Sequence, residues 1–146
     1  MGYRIPIYGV QLIRERSMAT DLKKITCAED GAKICIEYLD GVDREHFITL
    51  LLDTKHNLRG IHTVSVGSLD SSVVHPREVL KPAILANSSA IIIAHNHPSG
   101  DPSPSREDIE VTKRLAEGGG ILGIEVLDHV IIGDNRYISL KEKGVI

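Results

Sequence analysis

His95 and His97 stand two residues apart at the end of a short apolar run, residues 90–94, and Asp108 follows beyond a loop rich in Pro, Ser and Gly. In an extended strand, side chains two apart share a face, so the two imidazoles can approach one ion. A first-row ion held by two nitrogens wants a third protein ligand and a position left open for water. Asp108 opens the next predicted helix and is the best local carboxylate for that place. The turn residues between 98 and 104 could fold the helix start back against the strand end. A plainer reading competes. Ser105 and Asp108 have the spacing of a helix capping box, with the serine capping and the acid reaching back. That reading explains both residues without an ion, but it gives no reason for two same-face histidines beside them. Ser105 could cap the helix while Asp108 still turns toward a metal.

Other chemistries with similar letters are excluded. His95-Asn96-His97 spells the name of a nuclease motif, but such motifs describe separated residues. A zinc deaminase needs His-x-Glu followed by Pro-Cys-x-x-Cys, and neither is present. The HExxH helix of common metalloproteases is also missing. Cys27 and Cys35 lie eight apart with no CxxC spacing, which reads as two reduced thiols in a cytoplasmic protein. Gly118-Gly119-Gly120 has no following Lys-Ser/Thr and reads as a helix stop rather than a phosphate loop.

The elements that must position this cluster follow from pattern. At 146 residues, with 42% hydrophobic and 25% charged residues, the chain has ordinary globular composition and the length of one domain. Trp is absent and aromatics make up only 3%, so the core is aliphatic and base-stacking platforms are not expected. Residues 3–14 read as extended. Thr26, with Glu29 three residues on, predicts a capped helix running to about Leu39 and stopping at Gly41. Residues 45–53 form a near-continuous apolar run, the pattern of a central strand buried on both faces. Residues 55–57 read as a hairpin turn and 58–66 as the partner strand. Pro76 opens a second helix, and Pro82 should kink it or mark a 3₁₀ start. Residues 90–94 form a strand, 105–117 a third helix, and 125–132 with 137–139 a closing hairpin. This order predicts an α/β domain, a mixed sheet covered by helices.

Taken with the flanking residues, the cluster resembles the JAMM signature of the JAB/MPN metalloprotease superfamily. His75-Pro76-Arg77-Glu78, His95 to Gly100, Pro104-Ser105, Asp108-Ile109 and Leu127-Asp128-His129 resemble its RadC branch. The resemblance runs from about Asp43 to the C-terminus. It implies an MPN-type mixed β-sheet flanked by helices, with one zinc ion per chain held by His95, His97 and Asp108. Residues 43–146 would be the MPN domain and 1–42 an arm, strand and helix, packed on it. Glu45, at the start of the first predicted strand, matches the family glutamate, with the implied role of general base. Glu78 competes for that role, but an acid in a first helical turn is already favourable to the helix dipole. Ser105 matches the family serine, whose implied role is to donate a hydrogen bond to a developing oxyanion. RadC-like proteins also carry a DNA-associated helix-hairpin-helix region. Nothing before Asp43 resembles it, so the expectation is a stand-alone form.

The leading expectation is a cytoplasmic zinc-dependent hydrolase acting on peptide or isopeptide bonds of a peptide or protein substrate. The alternatives are a DNA-repair or recombination accessory that binds DNA, or a metal-dependent nuclease on the same site. DNA binding has thin support: net charge is −3, and only the N-terminal segment is basic, with Arg4, Arg14, Arg16, Lys23 and Lys24 against Glu15 and Asp21. Two histidines and one carboxylate suit zinc better than the hard cations a nuclease would prefer. No apolar run approaches the roughly 18 residues of a membrane span, and residues 1–18 lack the apolar stretch of a secretory signal.

Overall fold

A computed structural model describes residues 2–67 and 74–146. The β-rich run becomes β1 (His46–Leu52), buried from Phe47 onward. It pairs antiparallel with β2 (Leu58–Val66) on one side and with β3 (Ala90–Asn96) on the other. β3 pairs in parallel with β4 (Glu125–Gly133), and β5 (Arg136–Ser139) closes the sheet antiparallel to β4. The strand order is β2-β1-β3-β4-β5. β1 and β3 lie inside the sheet with both faces covered, which explains why they read as continuous apolar segments rather than alternating ones.

Successive residues of these strands feed opposite faces. Ile48, Leu50, Leu52, Ile92 and Ala94 pack with Ala32, Ile34, Cys35 and Leu39 around α1 (Ala28–Tyr38). Phe47, Leu51, Ile91 and Ile93 pack against Val79, Leu80 and Ala83 of α2 (Pro76–Leu85), and against Val111 and Leu115 of α3 (Arg106–Leu122). Among the described residues the result is a single-domain α/β architecture, a mixed five-stranded sheet with three helices, consistent with a JAB/MPN-type fold. None of the helices in the described residues is long and apolar enough to cross a membrane.

Three local expectations are corrected. Residues 3–14 form no strand; Tyr3, Ile5, Ile7, Tyr8 and Val10 are exposed, since an extended segment becomes a strand only with a partner. The first helix has Cys27 at its N-cap, with no side-chain cap bond. Thr26 instead donates from both N–H and hydroxyl to Asp30, at 2.9 and 2.7 Å. α2 runs on as α-helix through Pro82 to Leu85, so the proline starts no 3₁₀ turn, and continuation of the helix is compatible with a kink there. α3 runs through the glycine triplet and stops at Gly123, in the left-handed region at φ 72°. The triplet serves close packing: a Cβ on Gly119 would stand 2.3 Å from the Ile124 carbonyl oxygen.

Candidate metal centre

β3 carries the first histidine inside its ladder. His95 pairs in register with Phe47 of β1 and Ile131 of β4, is 1% exposed, and stacks on Phe47 with ring centroids 5.9 Å apart. His97 lies just past the strand, yet its N–H donates to the Ile132 carbonyl at 2.8 Å. The ladder therefore continues one step beyond the strand end and keeps both imidazoles on the face covered by α3. Beyond His97 the chain turns, with the Gly100 N–H donating to the His97 carbonyl at 3.0 Å. Gly100 has φ +89°, and a Cβ there would come within 2.3 Å of the Asp134 carboxylate, so the turn requires glycine. The turn brings the Asp101 carbonyl 2.8 Å from His97 Nδ1. A carbonyl can only accept, so Nδ1 donates and the neutral ring keeps its lone pair on Nε2.

α3 delivers the carboxylate from its first turn. The capping box is complete: Ser105 Oγ accepts from the Asp108 N–H at 3.1 Å, and Asp108 Oδ2 accepts from the Ser105 N–H at 2.8 Å. The same carboxylate faces the histidines. Oδ1 is 3.2 Å from His95 Nε2, Oδ2 is 3.3 Å from His97 Nε2, and the two Nε2 atoms are 3.0 Å apart. Capping and cluster formation thus coexist, and the box aims the side chain. Burial alone would push the Asp108 carboxyl up, but the hydrogen bond and charge of His95, with the Ser105 N–H and hydroxyl, outweigh it and hold the group well below the usual carboxylate range. Two ring nitrogens at 3.0 Å beside an ionised carboxylate call for a proton or a cation among them. The three residues could hold a metal ion.

Behind the cluster stands a second layer. His95 Nδ1 is 2.8 Å from Nε2 of the fully buried His129 on β4. His129 Nδ1 meets the hydroxyl of Thr112 on α3 at 2.5 Å, and that hydroxyl donates to the Asp108 carbonyl at 2.6 Å. Burial, the largest cause, pushes the His129 imidazolium well below the usual histidine range. The Asp128-His129 pair divides between the two sheet faces. Asp128 accepts from its neighbour's N–H at 2.7 Å, from Ser139 Oγ at 2.6 Å and from the Lys141 N–H at 3.0 Å, which fixes the last strand.

Glu45 is half-buried immediately ahead of β1. Glu45 comes two residues before Phe47, whose ring stacks on His95, so its backbone lies at the end of the sheet where His95 and His97 stand. Asn96, between the histidines, clamps this segment: its Oδ1 accepts from the His46 N–H at 2.7 Å and its Nδ2 donates to the Arg44 carbonyl at 3.0 Å. Glu78 is exposed in the first turn of α2 and pairs with Lys81 at 3.5 Å. Pro76 of that helix faces Gly118, about three turns or roughly 15 Å along α3 from Asp108. Thr112 and Asn96 went unrecognised in the sequence. Thr112 did carry a signal, lying four residues after Asp108 and so on the same helix face.

A profile of the family described as "RadC-like JAB domain" matches residues 25–145. The chain belongs to the RadC-like JAB domain family. It is 62% identical to a UPF0758 protein of Desulfitobacterium hafniense over 122 residues, 84% of this chain and 54% of that protein. A UPF0758 protein of Geobacillus kaustophilus is 55% identical over 131 residues, 90% of this chain and 58% of the relative. One from Methanococcoides burtonii is 51% identical over 138 residues, 93% of this chain and 60% of the relative. The chain therefore spans somewhat over half the length of these curated relatives.

Proposed function

We propose that this RadC-like JAB domain is a zinc-dependent hydrolase of peptide or isopeptide bonds, with the ion held by His95, His97 and Asp108. The observation that carries the reading is the convergence of His95 Nε2, His97 Nε2 and the Asp108 carboxylate at 3.0–3.3 Å. Two donors on a tetrahedral zinc with bonds of about 2.0–2.1 Å sit roughly 3.3 Å apart, so the spacing suits three corners of one coordination shell. Two nitrogens and one carboxylate are also the donor set of a catalytic rather than a structural zinc, which leaves a corner for water. Bound there, zinc would bring the pKa of a water toward about 7 and polarise a scissile carbonyl.

The chain's own residues supply the rest. Glu45, at the same end of the sheet, takes a proton from the attacking water at a carboxylate oxygen and returns it to the leaving amine. Ser105 Oγ accepts a bond from the Asp108 N–H; its hydroxyl proton, which otherwise favours the Asp108 carboxylate, would turn to the oxyanion of the tetrahedral intermediate. The Ser105 N–H bond to Asp108 Oδ2 favours the ionised carboxylate, which at neutral pH would serve as an anionic ligand.

The test is Glu45→Gln, assayed on a panel of peptide and isopeptide-linked substrates with zinc content measured in parallel. Zinc should stay at the wild-type level while turnover drops by about 10²–10⁴-fold. Undiminished turnover in the zinc-loaded variant removes Glu45 from the mechanism.

A further inference from the structure

We infer that Thr112 and His129 are positioning residues whose hydrogen bonds fix the proton of His95 on Nδ1 and so present its Nε2 lone pair to the metal; the inference rests on the metal reading above. Thr112 Oγ lies 2.6 Å from the Asp108 carbonyl oxygen, which has no proton, so the single hydroxyl proton points there. The hydroxyl then offers only lone pairs to His129 Nδ1, 2.5 Å away, and Nδ1 must donate. His129 is fully buried, with the edge of Phe47 packed against it at 5.6 Å between ring centroids, which favours the neutral ring with one proton. Its Nε2 is therefore an acceptor, and His95 Nδ1, 2.8 Å away, is the donor. A neutral His95 is left with a bare Nε2, facing His97 Nε2 and Asp108 Oδ1.

The circuit closes on a ligand at both ends. His95 begins it and the Asp108 backbone carbonyl ends it, so β3 and α3 are joined behind the site through β4. Reversing any one proton would put an N–H of His129 against an N–H of His95, or move the His95 proton to Nε2, where the ion belongs. His97 reaches the same state independently through the Asp101 carbonyl. Partners of this kind orient metal-binding histidines and strengthen them as ligands.

Two measurements test this on the full chain. Imidazole ¹⁵N spectra of metal-free protein at neutral pH distinguish the Nδ1–H from the Nε2–H form, and competition with a chromophoric chelator gives the zinc affinity. Wild type should show His129 as the Nδ1–H form. Thr112→Val, close to isosteric, should lose that signature and bind zinc about 10- to 100-fold more weakly, and Thr112→Ser should restore both. An Nε2–H signature for His129 in wild type overturns the inference, and needs no variant to be seen. So does a Thr112→Val protein with unchanged spectrum and affinity. If the spectra behave as expected but wild type takes no zinc, the circuit stands and the metal reading fails.

Discussion

Truncating Asn96 separates the parts of the site that bind metal from the part that would move protons. Its side chain holds the segment around Glu45 by bonds of 2.7 Å from the His46 N–H and 3.0 Å to the Arg44 carbonyl. The two are not equivalent. The Arg44 carbonyl also receives His46 Nδ1–H at 3.0 Å, so it keeps a donor in Asn96→Ala. The half-buried His46 N–H loses the acceptor that holds it. One net hydrogen bond plus part of a desolvation penalty comes to about 1–2 kcal/mol, or a fall in Tm of roughly 2–8 °C for a chain of this size. Strand alternation points Asn96 away from the face that carries His95 and His97, so zinc affinity should stay near wild type. Turnover should fall, because the clamp spans Glu45. Asn96→Asp keeps the acceptor for His46 N–H but sets a carboxylate oxygen against the Arg44 carbonyl, so it should recover only part of the stability. Calorimetric melting and chelator competition on the same samples provide the test. An unchanged Tm, or a zinc affinity as poor as that of His97→Ala, would refute the reasoning.

Asp128→Ala orphans donors from His129, Ser139 and Lys141 and should cost upwards of about 3 kcal/mol, read as a lower urea midpoint, while the folded fraction still takes zinc. A cost under 1 kcal/mol would mean that β5 is held by something other than this carboxylate. Cys35 is fully buried, and burial, then the charge of Asp128, raise its thiol to about 12, whereas Cys27 is exposed. Native protein at neutral pH should therefore take up one equivalent of a thiol reagent, and the second only after unfolding; two rapid additions would contradict the packing of α1.

The sheet was legible because its inner strands are apolar on both faces. The run from Phe47 to Leu52 has no polar side except the buried Thr49, and the structure places it between two neighbours. The histidines and Asp108 were legible because strand period and cap spacing are local properties. What was hidden depends on contacts far apart in sequence. Whether residues 3–14 would be a strand turned on a partner that local pattern cannot supply. The glycines of α3 read as a stop because their steric reason is the Ile124 carbonyl, beyond the helix end. Asp128 and His129 are adjacent, yet face opposite sides of the sheet and have separate roles; only the packed strand assigns His129 to the metal side and Asp128 to the closing turn. Asn96 was masked by the histidines beside it, since its partners are 50 and 52 residues away.

The central claim is that an ion belongs among His95, His97 and Asp108. Metal content by mass spectrometry on untagged protein, beside His97→Ala, tests it most directly. A zinc site at these residues predicts about one zinc per chain in wild type and its loss in the variant. A wild-type protein that stays free of metal after zinc is offered at neutral pH, or a variant that keeps it, would contradict the account.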